Sequence, residues 1–254
     1  MSPDRFIRLD TAAGGGLARL DIHLPPVNVF SAADLDELFR VVEQARDSRV
    51  LLLTGLPRAF SAGVSIAEHV PEAGPMERML AAMGGALAAL VETPAVTVAS
   101  VSGACLGGGA EIAAACDIVI AAEDARIGFP EIRLGCFPPA AAVLLPGRMG
   151  ETRAAEWILT GRTYSGTEAA AAGFATRAVP AASLESETRK LVEGLLSRGA
   201  AGLAAARDVL RRPRRDALAA RLPHAEDAYR RLEGDRDLAR AVGDFNARKL
   251  PQSS

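Results

Sequence analysis

Residues 101–132, VSGACLGGGAEIAAACDIVIAAEDARIGFPEI, constrain this chain more than any other stretch. An apolar, strand-like run leads to the glycine cluster Gly107-Gly108-Gly109, and an alanine-rich helical segment starts directly after it. Bare backbone at a helix start means either that strand and helix pack closely or that something approaches the amides. Two carboxylates punctuate the segment: Glu111 in the first helical turn, and Glu131 after Gly128-Phe129-Pro130. An acid among Ala, Ile and Cys is costly unless it meets a partner or a ligand. The pattern fits amides that face an oxyanion while two glutamates handle a water and its protons. On the segment alone, a packing role for the glycines, a dipole-complementing role for Glu111 and a surface position for Glu131 stay open.

The flanking sequence predicts an α/β protein. Residues 6–9 and 17–24 alternate apolar and polar around a turn at 14–16, which reads as a hairpin. Ser31 and Asp34 open a helix running to about Arg46. Residues 50–53, 95–101 and 118–121 are short apolar runs, the mark of strands buried on both faces. A loop at 58–63 and a helix at 75–91 stand between the first two. In that helix Met76, Leu80, Met83, Leu87 and Val91 form a stripe that reads as core. The alternation implies a largely parallel sheet covered by helices. After Gly150 the helices 151–159, 166–172, 183–197, 201–211 and 216–231 dominate, with one strand at 175–179.

Composition limits the chemistry. The net charge is −2, which gives no reason to expect nucleic acid or an anionic membrane. The cluster Arg211-Arg212-Pro213-Arg214-Arg215 accordingly reads as a solvated helix boundary and not as an RNA contact. Three cysteines without C-x-x-C spacing argue against a disulfide framework or a zinc site, so no metal is expected. The amino terminus shows no leader pattern and no apolar run suffices for a membrane span, which fits a cytoplasmic protein. The glycines match neither a Walker loop nor G-x-G-x-x-G, and no G-x-S-x-G elbow occurs. Of three histidines only His69, soon after the 58–63 loop, is a candidate to face a ligand.

Taken together, Phe60-Ser61-Ala62-Gly63, Gly107-Gly108-Gly109-Ala110-Glu111 and Gly128-Phe129-Pro130-Glu131-Ile132 resemble the signature blocks of the crotonase (enoyl-CoA hydratase/isomerase) superfamily. Asn28 after Pro25-Pro26 and the helical tail fit that layout. The resemblance implies the crotonase fold of repeated ββα units, with a core domain at 1–195 and a helical trimerisation region at 196–254, in a homotrimer or a dimer of trimers. It implies an acyl-CoA substrate, with coenzyme A arriving as part of the substrate and no other cofactor. Backbone amides of Ala62 and Gly108 would form the oxyanion hole. Glu111 would help to activate water, and Glu131 would donate a proton to the α-carbon. Substrate contacts would fall on Val27 and Val29, on Ser61, Gly63, Ser65 and Ile66, on Gly107 and Pro130, and on Phe137 and Pro138. Two retained glutamates favour a hydratase; an isomerase, a ring-cleaving hydrolase and a non-catalytic RNA-binding relative are the alternatives. Two departures stand out. Ser65 occupies a position where many members carry Asp. The run Phe137-Pro138-Pro139-Ala140-Ala141 replaces a usual Gly-Gly pair and resembles cyclohexa-1,5-diene-1-carbonyl-CoA hydratases, implying a stiffened pocket for a flat ring.

Overall fold

The computed structural model describes residues 5–11, 16–68, 73–232 and 234–249. The alternating amino-terminal segments form β1 (Phe6–Thr11) and β2 (Leu17–His23), antiparallel, with Phe6 opposite His23. The two rings stack at 4.7 Å, so His23 serves the strand pair. Gly14, Gly15 and His69 lie outside the described residues. β3 (Val29–Phe30) leads into α1 (Ala32–Gln44), where Ser31 and Asp34 make the reciprocal capping box; the helix stops short of Arg46.

Three units then repeat one plan, a strand of a large sheet, a strand of a small one, and a helical segment. β4 (Val50–Thr54), β5 (Ala59–Ser61) and the short β6 (Gly63–Val64) precede α2 (Ala73–Glu92). β7 (Val96–Val101) and β8 (Ala104–Leu106) precede α3 (Gly108–Ala115). β9 (Ile118–Ala122) and β10 (Arg126–Gly128) precede a 3₁₀ turn at Pro130–Leu134 and α4 (Pro139–Met149). Then come α5 (Glu151–Thr160), β11 (Thr163–Ser165), α6 (Gly166–Ala172), β12 (Arg177–Val179), α7 (Leu184–Leu196), α8 (Ala200–Arg230) and α9 (Arg236–Lys249).

The large sheet has the order β1-β2-β4-β7-β9-β12 and is parallel from β2 onward. Every residue of β7 is buried, as its unbroken apolar run requires in a sheet covered on both faces. The small sheet, β11-β10-β8-β5, and the β3–β6 pair consist of two- or three-residue strands that give no periodic signal. That is why residues 58–63 read as a loop. No helix among the described residues is long and apolar enough to cross a membrane.

The arginine cluster overturns two expectations. Helix α8 continues through Pro213, where the predicted helices 201–211 and 216–231 were separate. The cluster also contacts protein. Just before it in α8, Arg207, 4% exposed, places Nε 2.7 Å from Asp117 Oδ2 and donates to carbonyls at the end of α2, including that of Leu90. Arg214 donates to the Cys116 carbonyl at 2.8 Å and pairs with Asp117; Arg148 reaches the same carbonyl at 2.9 Å. Cations at helix carboxyl ends complete carbonyls that lack helical partners. These contacts flank Pro213, where a proline costs a helix interior about 3 kcal/mol.

Candidate active site

Each of the three glycines has a different neighbour. Gly107 caps α3 with φ +53°, and a Cβ there would lie 2.5 Å from Glu131 Oε1. A Cβ on Gly108 would meet Met83 Cε at 2.6 Å and Val64 Cγ1 at 2.7 Å; one on Gly109 would strike Ser61 Cβ at 2.5 Å. Close packing therefore explains Gly108 and Gly109, and approach to a functional group explains Gly107. The Gly107 N–H is spent on the Gly128 carbonyl at 2.9 Å. Gly108, first residue of α3, has no intrahelical acceptor for its own N–H.

The second amide comes from a residue other than the one expected. The Ala62 N–H donates to the Val27 carbonyl at 2.9 Å, which removes it as an oxyanion donor. Ser65 N–H donates to the Phe30 carbonyl across β3–β6, and backbone direction alternates along a strand. The Val64 N–H between them therefore points away from β3, and its nitrogen is 3.7 Å from the Cβ position on Gly108. Val64 and Gly108 are the facing amide pair. Ser61 is also reassigned. It is fully buried, donates to the Asn28 carbonyl at 2.7 Å and accepts from Gly63 N–H, so it holds the turn and does not reach a ligand. Asn28 closes the same frame, its Nδ2 donating to the carbonyls of Ile22 and Phe60 at 3.0 Å each.

Two adjoining chambers meet at this amide pair. One, about 80 Å³, is lined by Ala62, Gly63, Ile66, Gly107 and Pro130 among others. The other, about 50 Å³, has Met83, Leu87, Phe137, Pro138 and both Glu111 and Glu131 in its wall. Val64, Gly108, Glu131 and Tyr229 border both. Val27, Val29 and Ser65 line neither. The α2 stripe is core as expected, but Leu80, Met83 and Leu87 also face the second chamber, as does Met79. Val64 escaped the sequence reading because which amide stays free is set by the partners across β3 and β6, and Tyr229 and the α8 wall because nothing local in sequence marks a residue that a distant helix brings to a cavity.

Glu111, 4% exposed, accepts a 2.8 Å hydrogen bond from Ala141 N–H in the first turn of α4. Pro139 opens that helix without an N–H of its own, so the first amides available are those of Ala140 and Ala141. Burial pushes Glu111 up to about 7, opposed by those two amides. Burial pushes Glu131 up to about 8, and the Glu111 charge adds to the rise. Glu131 Oε2 is buried without a hydrogen-bond partner among the described residues. Two carboxyls so coupled share protons: near neutral pH one is the acid and the other the base. The amide-bonded Glu111 is the more readily ionised. Among the described residues no cluster of His, Cys, Asp and Glu could hold a metal.

The profile of the enoyl-CoA hydratase/isomerase family matches residues 12–251. Cyclohexa-1,5-dienecarbonyl-CoA hydratase of Thauera aromatica is 38% identical over 157 residues, which cover 61% of this chain and 60% of that protein. A probable enoyl-CoA hydratase of Mycobacterium tuberculosis is 33% identical over 209 residues, 81% of this chain and 80% of that one. The crystal structure of an enoyl-CoA hydratase from Mycobacterium avium subsp. paratuberculosis K-10 superposes with a TM-score of 0.84 at 25% identity, over 97% of this chain and 98% of that one.

Proposed function

The chain belongs to the enoyl-CoA hydratase/isomerase family and has its α/β crotonase fold, and from that premise we propose that it adds water across the α,β double bond of an acyl-CoA thioester. The observation that carries this reading is a single cavity walled by two buried, coupled carboxyls beside a facing pair of amides.

In this reading the thioester oxygen accepts hydrogen bonds from the N–H groups of Val64 and Gly108, the latter at the positive end of α3. Negative charge grows on that oxygen as the β-carbon is attacked, and one such donor contributes about 3–4 kcal/mol. Glu111 as carboxylate takes a proton from water while the water oxygen bonds to the β-carbon. The double-bond electrons move to the α-carbon and the thioester oxygen. Protonated Glu131 then delivers its proton to the α-carbon, so one water is added and the pair has exchanged its proton. General acid–base catalysis of this kind contributes about 10²–10⁴-fold.

The small acyl chamber and its Phe137-Pro138-Pro139 wall support a short or flat acyl group. A cyclic dienoyl-CoA is the finer form of the proposal, supported by the relative from Thauera aromatica. Coenzyme A enters as part of the substrate, with no metal or further cofactor. Residues 1–195 form the catalytic core and 196–254 the region that assembles a cytoplasmic homotrimer or dimer of trimers.

Crotonyl-CoA and a cyclic dienoyl-CoA, followed side by side by loss of enoyl absorbance and by product mass, test the reading. Glu111→Gln and Glu131→Gln should each lower turnover by at least about 10²-fold in folded protein. Near-normal turnover in either variant, or a product that has gained no water, would refute hydration.

A further inference from the structure

Three cavities follow one another through the molecule, and their shared walls give the order. The chamber of about 80 Å³, which would hold the thioester, borders the acyl chamber at Val64, Gly108, Glu131 and Tyr229. The acyl chamber in turn shares Gly84, Leu222 and Glu226 with a third cavity of about 190 Å³ between α2 and α8. Glu111 and Glu131 line the acyl chamber but not the third cavity; Glu226 lines the third cavity but not the thioester chamber. Glu226 thus stands at the end of the acyl chamber remote from the thioester.

A carboxylate at that place has little to do for the fold. Its side chain, 17% exposed, lies against bare backbone of α2, where a Cβ on Gly84 would be 3.2 Å from Oε1. Arg230 reaches Oε2 at 3.5 Å, the longest of its three ion pairs; its other nitrogens bind Glu77 at 2.7 Å and Asp227 at 2.6 Å. Glu226 lines the same slot as the apolar Met83, Leu87 and Leu222. Partial burial pushes this carboxyl up, opposed by Arg230. A hydrocarbon group in the slot would strip water from the carboxylate without replacing its hydrogen bonds, whereas a hydroxyl would replace one.

Resting on the hydratase reading, we propose that Glu226 is a specificity-determining residue that accepts a hydrogen bond from a hydroxyl on the distal part of the acyl group. Between enoyl-CoA thioesters that differ only in a distal hydroxyl, the hydroxylated one is then preferred at the far wall of the acyl chamber. A hydrogen bond to a charged acceptor supports a preference of about tenfold or more in kcat/KM.

The test measures kcat/KM for trans-2-hexenoyl-CoA and for its 4-, 5- and 6-hydroxy derivatives. Both thioesters of a pair are run on the same preparation, so the ratio does not depend on the fraction of active enzyme. The wild type should favour at least one hydroxylated thioester about tenfold. Glu226→Leu should abolish that preference, and Glu226→Gln, whose amide oxygen still accepts, should keep part of it. If Glu226→Leu does not fold, the partial loss in Glu226→Gln decides. Equal preference in wild type and variants, or rejection of every hydroxylated thioester by the wild type, overturns the proposal. Failure of the wild type to hydrate any of the four while crotonyl-CoA or the cyclic dienoyl-CoA turns over also overturns the proposal, whereas failure on all six thioesters sinks the hydratase reading, so the two failures are distinct.

Discussion

Replacing Gly107 by alanine asks whether bare backbone at that point positions Glu131. Two costs arise, and they separate in experiment. The first is conformational: φ +53° with ψ −128° is a backbone region that favours glycine, and it costs a residue with a Cβ about 1–3 kcal/mol. For a chain of this size that lowers the melting temperature by about 2–4 °C per kcal/mol. The second is steric and local. The new Cβ would lie 2.5 Å from Glu131 Oε1, whereas real Cβ contacts essentially never fall below 3.0 Å, so the carboxyl must retreat by at least 3.0 − 2.5 = 0.5 Å. A catalytic group tolerates displacement of about 0.5 Å, and about 1 Å costs about 10²-fold. The expected result is a kcat about 10–100-fold lower. KM should change less, because the proposed thioester donors are Val64 and Gly108. Absorbance assays with crotonyl-CoA, paired with thermal melts, give both quantities. A melting temperature that falls while kcat stays near wild type would show that Glu131 does not depend on this glycine, and would refute the reasoning.

Other consequences concern charge. The rate should follow a bell in pH: it falls below about 7 as Glu111 gains a proton and above about 8 as Glu131 loses one, and a profile flat from pH 6 to 9 would contradict the acid–base pair. The same shifts bear on stability. A carboxyl raised above its unfolded value binds protons better when folded, so its favourable contribution is complete at low pH and is lost as pH climbs through about 8. Glu131→Gln should therefore melt higher than wild type at pH 8, with the gain vanishing near pH 4. Removing Arg207 should cost about 3–5 kcal/mol, because it leaves Asp117 buried with fewer partners. Asp117 is raised by burial but held below its usual value by Arg207 and Arg214, so urea melts of wild type and Arg207→Leu should converge as acid protonates it.

What could be read in one dimension was what local physics encodes. The capping box at Ser31 and Asp34, the hairpin of β1 and β2, and the buried strands β4, β7 and β9 follow from hydrogen bonding and periodicity within a few residues. The family blocks around Gly107-Gly108-Gly109, Glu111 and Glu131 were legible for a related reason: close backbone approach and buried charge leave few residue types to choose from.

Tertiary structure decided which partner each group has. Whether an amide is free depends on what its neighbour across the sheet accepts: Val27 claims Ala62 N–H, and the donor position passes to Val64. Gly107, Gly108 and Gly109 look alike in sequence and differ only in what stands opposite them. The arginines of α8 find the ends of α2 and α3, a match that depends on how helices far apart in sequence pack. Likewise the third acid of the cavity, Glu226, reaches it only because α8 folds back across α2. The sequence thus determined the segments and their chemistry, because those depend on neighbours along the chain. Packing determined the pairings, because burial and hydrogen bonding act between residues that the chain keeps far apart.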